Sequence, residues 1–182
     1  MAGNAKLARL VATTGAIGGL AAEALGSKCS PVRAILFDKT ASTNWALGWH
    51  QDRTIAVCER LQVPGFGPWT VKQGLLHVEP PFSVIEAMVT ARVHLDAVPE
   101  DNAPLLIAPG SHLLGRLAEA DIEAAVTRCG TAMCTASRGD VWLYRTPILH
   151  ASETSRSVGR RRVLQIDFTA VSLPGGLRWL GI

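Results

Sequence analysis

The chain lacks any cysteine pattern that could staple it. Its four cysteines, Cys29, Cys58, Cys129 and Cys134, form no C-x-x-C pair, and Cys129 and Cys134 have no neighbouring ligands to make a zinc knuckle. Isolated cysteines with mostly apolar flanks suit a reducing compartment, so a cytoplasmic location is expected. No apolar run is long enough to span a bilayer, which takes about 20 residues. Lys6 and Arg9 precede a run from Leu10 to Ala22 that superficially resembles a secretory signal. That run holds Thr13, Thr14 and three glycines, which makes it weakly apolar. There are no internal repeats and no low-complexity tract. Charge of one sign is also scarce: 18 Lys+Arg stand against 15 Asp+Glu, a net +3, too diffuse for a nucleic-acid surface. The one tight basic run, Arg160-Arg161-Arg162, leads into an apolar strand pattern.

What is present suits one globular domain. The chain has 182 residues, 48% of them hydrophobic, with 17 Gly and 10 Pro to make turns. Leu7, Leu10, Val11, Ile17, Leu20 and Leu25 fall roughly on one helical face, so residues 1–26 are expected to form an N-terminal helix packed on the core, with Gly26 as its stop. Beyond it, short strand patterns recur between Gly/Pro turns: residues 32–37, 45–49, 54–57, 88–96, 105–107, 131–136, 141–144 and 161–170. One short helix is expected over 118–128, with Asp121 and Glu123 near its start as the helix dipole prefers. Many short strands with little helix point to a sandwich or barrel. Residues 59–81 stand apart. Pro64, Gly65, Gly67, Pro68, Gly74, Pro80 and Pro81 interrupt them, with Phe66, Trp69 and His77 in between, and they are expected to form a long irregular loop. Such a loop is either a lid over the site or a surface cover for the barrel.

Trp49-His50-Gln51-Asp52 carries the chemistry. A histidine and a carboxylate one residue apart point the same way on an extended strand, because side chains alternate faces. Such a pair can bind one ion, and His150 can complete a two-histidine, one-carboxylate triad. That triad leaves coordination positions open and is characteristic of non-haem Fe(II) oxygenases. An H-x-D alone is common, and the chain holds a second, His94-Leu95-Asp96. The second runs straight into a turn and leaves too few strands between the halves of a site, so His94 reads as a barrel residue. His112 is expected to serve its turn. Arg92 could face the barrel interior and touch the substrate or an oxo-acid co-substrate, although a salt bridge at the rim is the commoner fate of such an arginine.

Phe37-Asp-Lys-Thr40, Asn44-Trp45, Trp49-His-Gln-Asp-Arg-Thr54, Pro99-Glu-Asp-Asn-Ala-Pro-Leu105, Pro109-Gly-Ser-His112, Arg138-Gly-Asp140 and His150-Ala-Ser152 occur in this order. This series resembles the phytanoyl-CoA dioxygenase (PhyH-like) family from about Val32 to the end. The resemblance implies a mainly β fold, the double-stranded β-helix (jelly-roll or cupin-like), as a single domain over 1–182. It implies Fe(II) and 2-oxoglutarate as cofactors, with His50, Asp52 and His150 as metal ligands. It implies that Arg161, eleven residues after His150, pairs with the distal carboxylate of 2-oxoglutarate. A guanidinium fork suits that task because it binds a carboxylate bidentately and keeps its charge. Strand parity sets Arg160 and Arg162 on one face and Arg161 on the other. Ser152 resembles a hydroxyl on the same carboxylate, and Lys39 and Asn44 are candidates for the same pocket.

The implied reaction oxidises a small-molecule substrate with O2, releasing succinate and CO2. Related halogenases have a small residue in place of the carboxylate, so Asp52 argues for hydroxylation or another oxidation. Asn102-Ala103-Pro104 departs from the family pattern, with alanine where glycine is frequent. Two other readings remain: a cupin-like metal enzyme that does not use 2-oxoglutarate, and a non-catalytic binding module. No nucleic-acid or membrane partner is expected. Neither the substrate nor the oligomeric state is legible.

Overall fold

The structure is a computed structural model that describes residues 4–157 and 159–182. It is mainly β, with antiparallel pairing and short helices. Two compact units divide the chain. The first holds the described residues up to Ala34, with Arg53–Ala91 and Ile166–Ile182; the second holds Ile35–Asp52 and Arg92–Gln165. Three strands change unit part-way: β1 (Ser30–Lys39), β6 (Met88–His94) and β11 (Arg161–Thr169). Together with β9 (Val141–Arg145) they have the order β1-β11-β6-β9.

The first unit opens with two helices rather than the single one expected, α1 (Ala5–Val11) and α2 (Ala16–Leu25). The break has a steric cause. A Cβ on Gly15 would meet the Arg9 carbonyl oxygen at 2.1 Å, and one on Gly18 would meet that of Ala12 at 2.1 Å. Only glycine lets α2 fold back this closely on α1. Asn4 caps α1, its Oδ1 accepting from the backbone N–H of Lys6 and Leu7. Gly26 ends α2 at φ 88, as expected.

Residues 59–81 are not irregular throughout. They contain β4 (Trp69–Lys72) and β5 (Leu75–Val78), which pair with β3 (Ile55–Ala56) in the order β3-β5-β4. The hairpin turns through Gln73 (φ 51) and Gly74 (φ 77). Two central residues with positive φ twist in the sense that flanking strands need. Val32, Ile55, Val57, Val78, Ile85 and Met88 form the core of this unit, with Trp69 and Trp179 packed against it. His77 is buried there, its Nδ1–H donating to the Leu75 carbonyl. Asp167 accepts from Arg33 Nε at 2.5 Å and from Thr90 Oγ1 at 2.9 Å. This buried arginine therefore has its counter-charge.

The second unit is built on the antiparallel sheet β2-β10-β7-β8, from β2 (Leu47–His50), β7 (Leu105–Ile107), β8 (Ala132–Cys134) and β10 (His150–Ser152). Helix α3 (Ile122–Cys129) contributes Ile122 and Ala125 to a core with Ala108 and Leu149, against which Trp49 packs. The four cysteines are free. Among the described residues no helix is long and apolar enough to cross a membrane.

Ala103, on the turn before β7, has φ 49. L-residues pay for this left-handed backbone and glycine does not. Ala103→Gly is expected to stabilise the protein by about 1 kcal/mol, read as a higher urea midpoint with an unchanged slope.

Candidate metal centre

The register of β2 against β10 sets the centre. His150 lies opposite His50, and their rings are 4.3 Å apart with their planes at 54°. Asp52 follows just past the end of β2. One ligand atom from each of His50, Asp52 and His150 lies within 4.8 Å of the others. Three such donors could hold a single divalent ion.

The backbone fixes which nitrogen each histidine offers. His50 Nδ1–H donates to the Gly48 carbonyl at 2.7 Å, and His150 Nδ1–H to the Ile148 carbonyl at 2.9 Å. Each bond spends Nδ1 and leaves Nε2 as the lone-pair donor. Burial holds the His150 pKa down to about 4, with Asp52 pulling it up and His50 pushing it down. The ring is therefore neutral near pH 7, the form a metal needs.

Sequence reasoning passed over Gln51. Its side chain points away from its two neighbours and is buried. Its Nε2 donates to the carbonyls of Gly115 and Pro147, both at 2.9 Å, and its Oε1 accepts from the Leu117 N–H at 3.0 Å. It ties the ligand-bearing loop to the segment that leads into β10. The signal was there: on a strand that presents residues 50 and 52 to one side, residue 51 must enter the other.

Two buried cations lie in the same unit. Arg161 is 2% exposed and its Nη1 donates to the Ala103 carbonyl, while its Nε is buried without a partner. Burial, then Arg92, pull its pKa down to about 10. Lys39 is 1% exposed and donates to Ser152 Oγ at 3.1 Å and to the Glu153 carbonyl at 2.6 Å. Burial, then Arg161 and Arg92, bring its pKa down to about 8. The Trp45 ring lies 5.2 Å from Lys39 Nζ. Asn44 is placed differently. It is exposed, and its amide group bonds the backbone N–H and carbonyl of Ser155.

The neighbours of Arg161 take the opposite face. Arg160 pairs with Asp38, and Arg162 pairs with Asp96 through 2.7 and 2.9 Å bonds. That ion pair holds Asp96 down to about 2, so the second H-x-D has its carboxylate engaged on the outside. His94 is buried, and its Nδ1–H donates to the Asp140 carbonyl at 3.3 Å.

The fold has solved counterparts. EctD from S. alaskensis in its apoform aligns over 100% of this chain and 58% of its own, at 19% identity and TM-score 0.67. The carbocyclase SnoK from nogalamycin biosynthesis aligns over 98% of this chain and 62% of its own, at 19% identity and TM-score 0.63. EvdMO1 aligns over 87% of this chain and 30% of its own, at 21% identity and TM-score 0.62. The chain thus spans between 30% and 62% of the length of these structures. No curated protein matches it. The fold class is the double-stranded β-helix, cupin-like. Residues 9–163 match the family model of phytanoyl-CoA dioxygenase (PhyH), and the chain belongs to that family.

Proposed function

We propose that the protein is an Fe(II)- and 2-oxoglutarate-dependent dioxygenase that oxidises a small molecule. One observation carries this reading. A two-imidazole, one-carboxylate donor set occurs in the same unit as two buried cations that have no carboxylate partner among the described residues. The donor chemistry fits Fe(II), with positions left for other ligands. The buried cations fit a dicarboxylate, because a charge kept from water calls for a counter-charge. Among the fold neighbours, EctD has been crystallised with 2-oxoglutarate, and SnoK and SnoN are described as α-ketoglutarate dependent.

His50, Asp52 and His150 would hold the iron, and Arg161, Lys39 and Ser152 the distal carboxylate of 2-oxoglutarate. When bound, iron and 2-oxoglutarate supply the oxidising power, with O2 consumed and succinate and CO2 released. The chain's own residues orient and shield. The Gly48 and Ile148 carbonyls fix the two rings, Gln51 fixes their loop, and the Arg161 fork sets the direction of the oxo-acid. Hydroxylation is the outcome we assign. SnoN is described as an epimerase and SnoK as a carbocyclase, so product analysis must accompany any turnover assay.

The test is anaerobic calorimetry of 2-oxoglutarate binding to the Mn(II)-loaded protein, followed by a substrate screen that reads succinate release. Metal-dependent binding supports the reading. A folded, metal-loaded protein that binds no 2-oxoglutarate would leave a cupin-like enzyme of other chemistry, or a binding module.

Lys39 gives binding a pH signature. A carboxylate placed beside it raises its pKa from about 8. Binding therefore takes up a proton above pH 8, and affinity falls as pH rises through that range, by up to about tenfold per unit. Titrations in buffers of different ionisation enthalpy should show little uptake at pH 6.5 and up to one proton near pH 9. Lys39→Met should abolish the difference.

A further inference from the structure

The inward face of the strands in the second unit is a wall of cations. Phe37 and Lys39 come from β1, Arg161, Val163 and Gln165 from β11, and Arg92 and His94 from β6. They share one side by strand alternation. Contacts confirm it: Arg92 Nη1 donates to Gln165 Oε1 at 2.9 Å, and its guanidinium lies 5.2 Å from the Phe37 ring centre. Arg92 therefore reaches from β6 across the face of β11 towards β1. The acids of these strand ends are on the other side, where Asp38 holds Arg160 and Asp96 holds Arg162. No carboxylate among the described residues pairs with Lys39, Arg92 or Arg161.

Arg92 is 5% exposed and its buried Nε has no partner. Arg161 and Lys39 already suffice for one carboxylate. Arg92 starts from a different point on this face. Its strand partner Gln165 is four residues along β11 from Arg161, roughly 13 Å at about 3.3 Å per residue. Long side chains close part of that gap. Two guanidinium groups so placed hold opposite ends of a short diacid better than they share one end.

We propose that Arg92 is a second carboxylate anchor, holding the α-carboxylate of the oxo-acid whose distal carboxylate Arg161 holds. This deepens the oxygenase reading and rests on it. Both ends of the co-substrate then meet protein charge, and Arg92 positions the end nearer the metal.

Two oxo-acids separate the ends: 2-oxoglutarate, and 2-oxopentanoate, which has the same chain length but a methyl in place of the distal carboxylate. Calorimetry on the Mn(II)-loaded protein compares wild type, Arg161→Met and Arg92→Met, with circular dichroism to confirm folding. Arg92→Gln, which keeps a polar head for Gln165, is the second variant should the methionine variant not fold. Wild type should prefer 2-oxoglutarate, and Arg161→Met should lose that preference. Arg92→Met and Arg92→Gln should weaken both acids by a similar factor, about tenfold, and keep the preference. Unchanged affinity for both acids in a folded Arg92 variant would overturn the proposal, as would weakening of 2-oxoglutarate alone. A wild-type protein that binds neither acid overturns the oxygenase reading, and this proposal with it.

Discussion

His150→Ala should abolish metal-dependent binding of 2-oxoglutarate and leave a folded protein. The His150 ring faces His50 across β10 and β2, and its Nδ1–H donates to the Ile148 carbonyl. Removing it leaves His50 and Asp52, two donors where a stable site needs three. Loss of an outer-shell partner weakens metal sites by about 10–100-fold, so loss of a direct ligand should exceed the upper figure. Mn(II) titration by electron paramagnetic resonance reads this directly, because free and bound ion differ in signal. 2-Oxoglutarate binding should vanish in parallel. Wild-type Mn(II) affinity in the variant would show that the cluster is not the metal centre.

On the proposed reading, Arg161→Met should cost roughly 100-fold or more in 2-oxoglutarate affinity, because it would remove a charge-assisted fork from the distal carboxylate. Stability should move the other way. In the metal-free protein the Arg161 guanidinium is buried, and burial, then repulsion by Arg92, lower its pKa to about 10. Methionine fills similar space without charge, and such exchanges in buried sites are often neutral or stabilising by about 1–4 kcal/mol. A variant that melts at or above the wild-type temperature yet binds poorly identifies a residue kept for its ligand. If it melts well below wild type and binds normally, Arg161 is a structural residue bonded to the Ala103 carbonyl.

The histidine spacing and the parity of Arg160-Arg161-Arg162 are local properties of extended chain. They were legible because alternation holds wherever a strand forms. The hairpin over 69–78 was hidden by its own punctuation. Strands of four residues between Pro68 and Pro80 look like loop, and Gln73-Gly74 makes a turn more often written with asparagine or aspartate. The break between α1 and α2 depends on a close approach to carbonyls that no periodicity records. Arg92 was open in sequence because interior and rim positions look alike until neighbouring strands are placed. Gln165 and Phe37, both distant in sequence, decide it.

The ion pairs outside the wall have a role their weak energies conceal. Three consecutive arginines make β11 ambiguous: a strand slipped by one residue would still present an arginine inward, now Arg160 or Arg162. Partly exposed two-point pairs such as Asp38 with Arg160, and Asp96 with Arg162, contribute modestly to stability. They are, however, satisfied together in only one alignment. A slip would separate both and also turn Val163 and Gln165 outward. Asp38 and Asp96 thus favour one register of β11 over the slipped ones that the arginine repeat would otherwise tolerate.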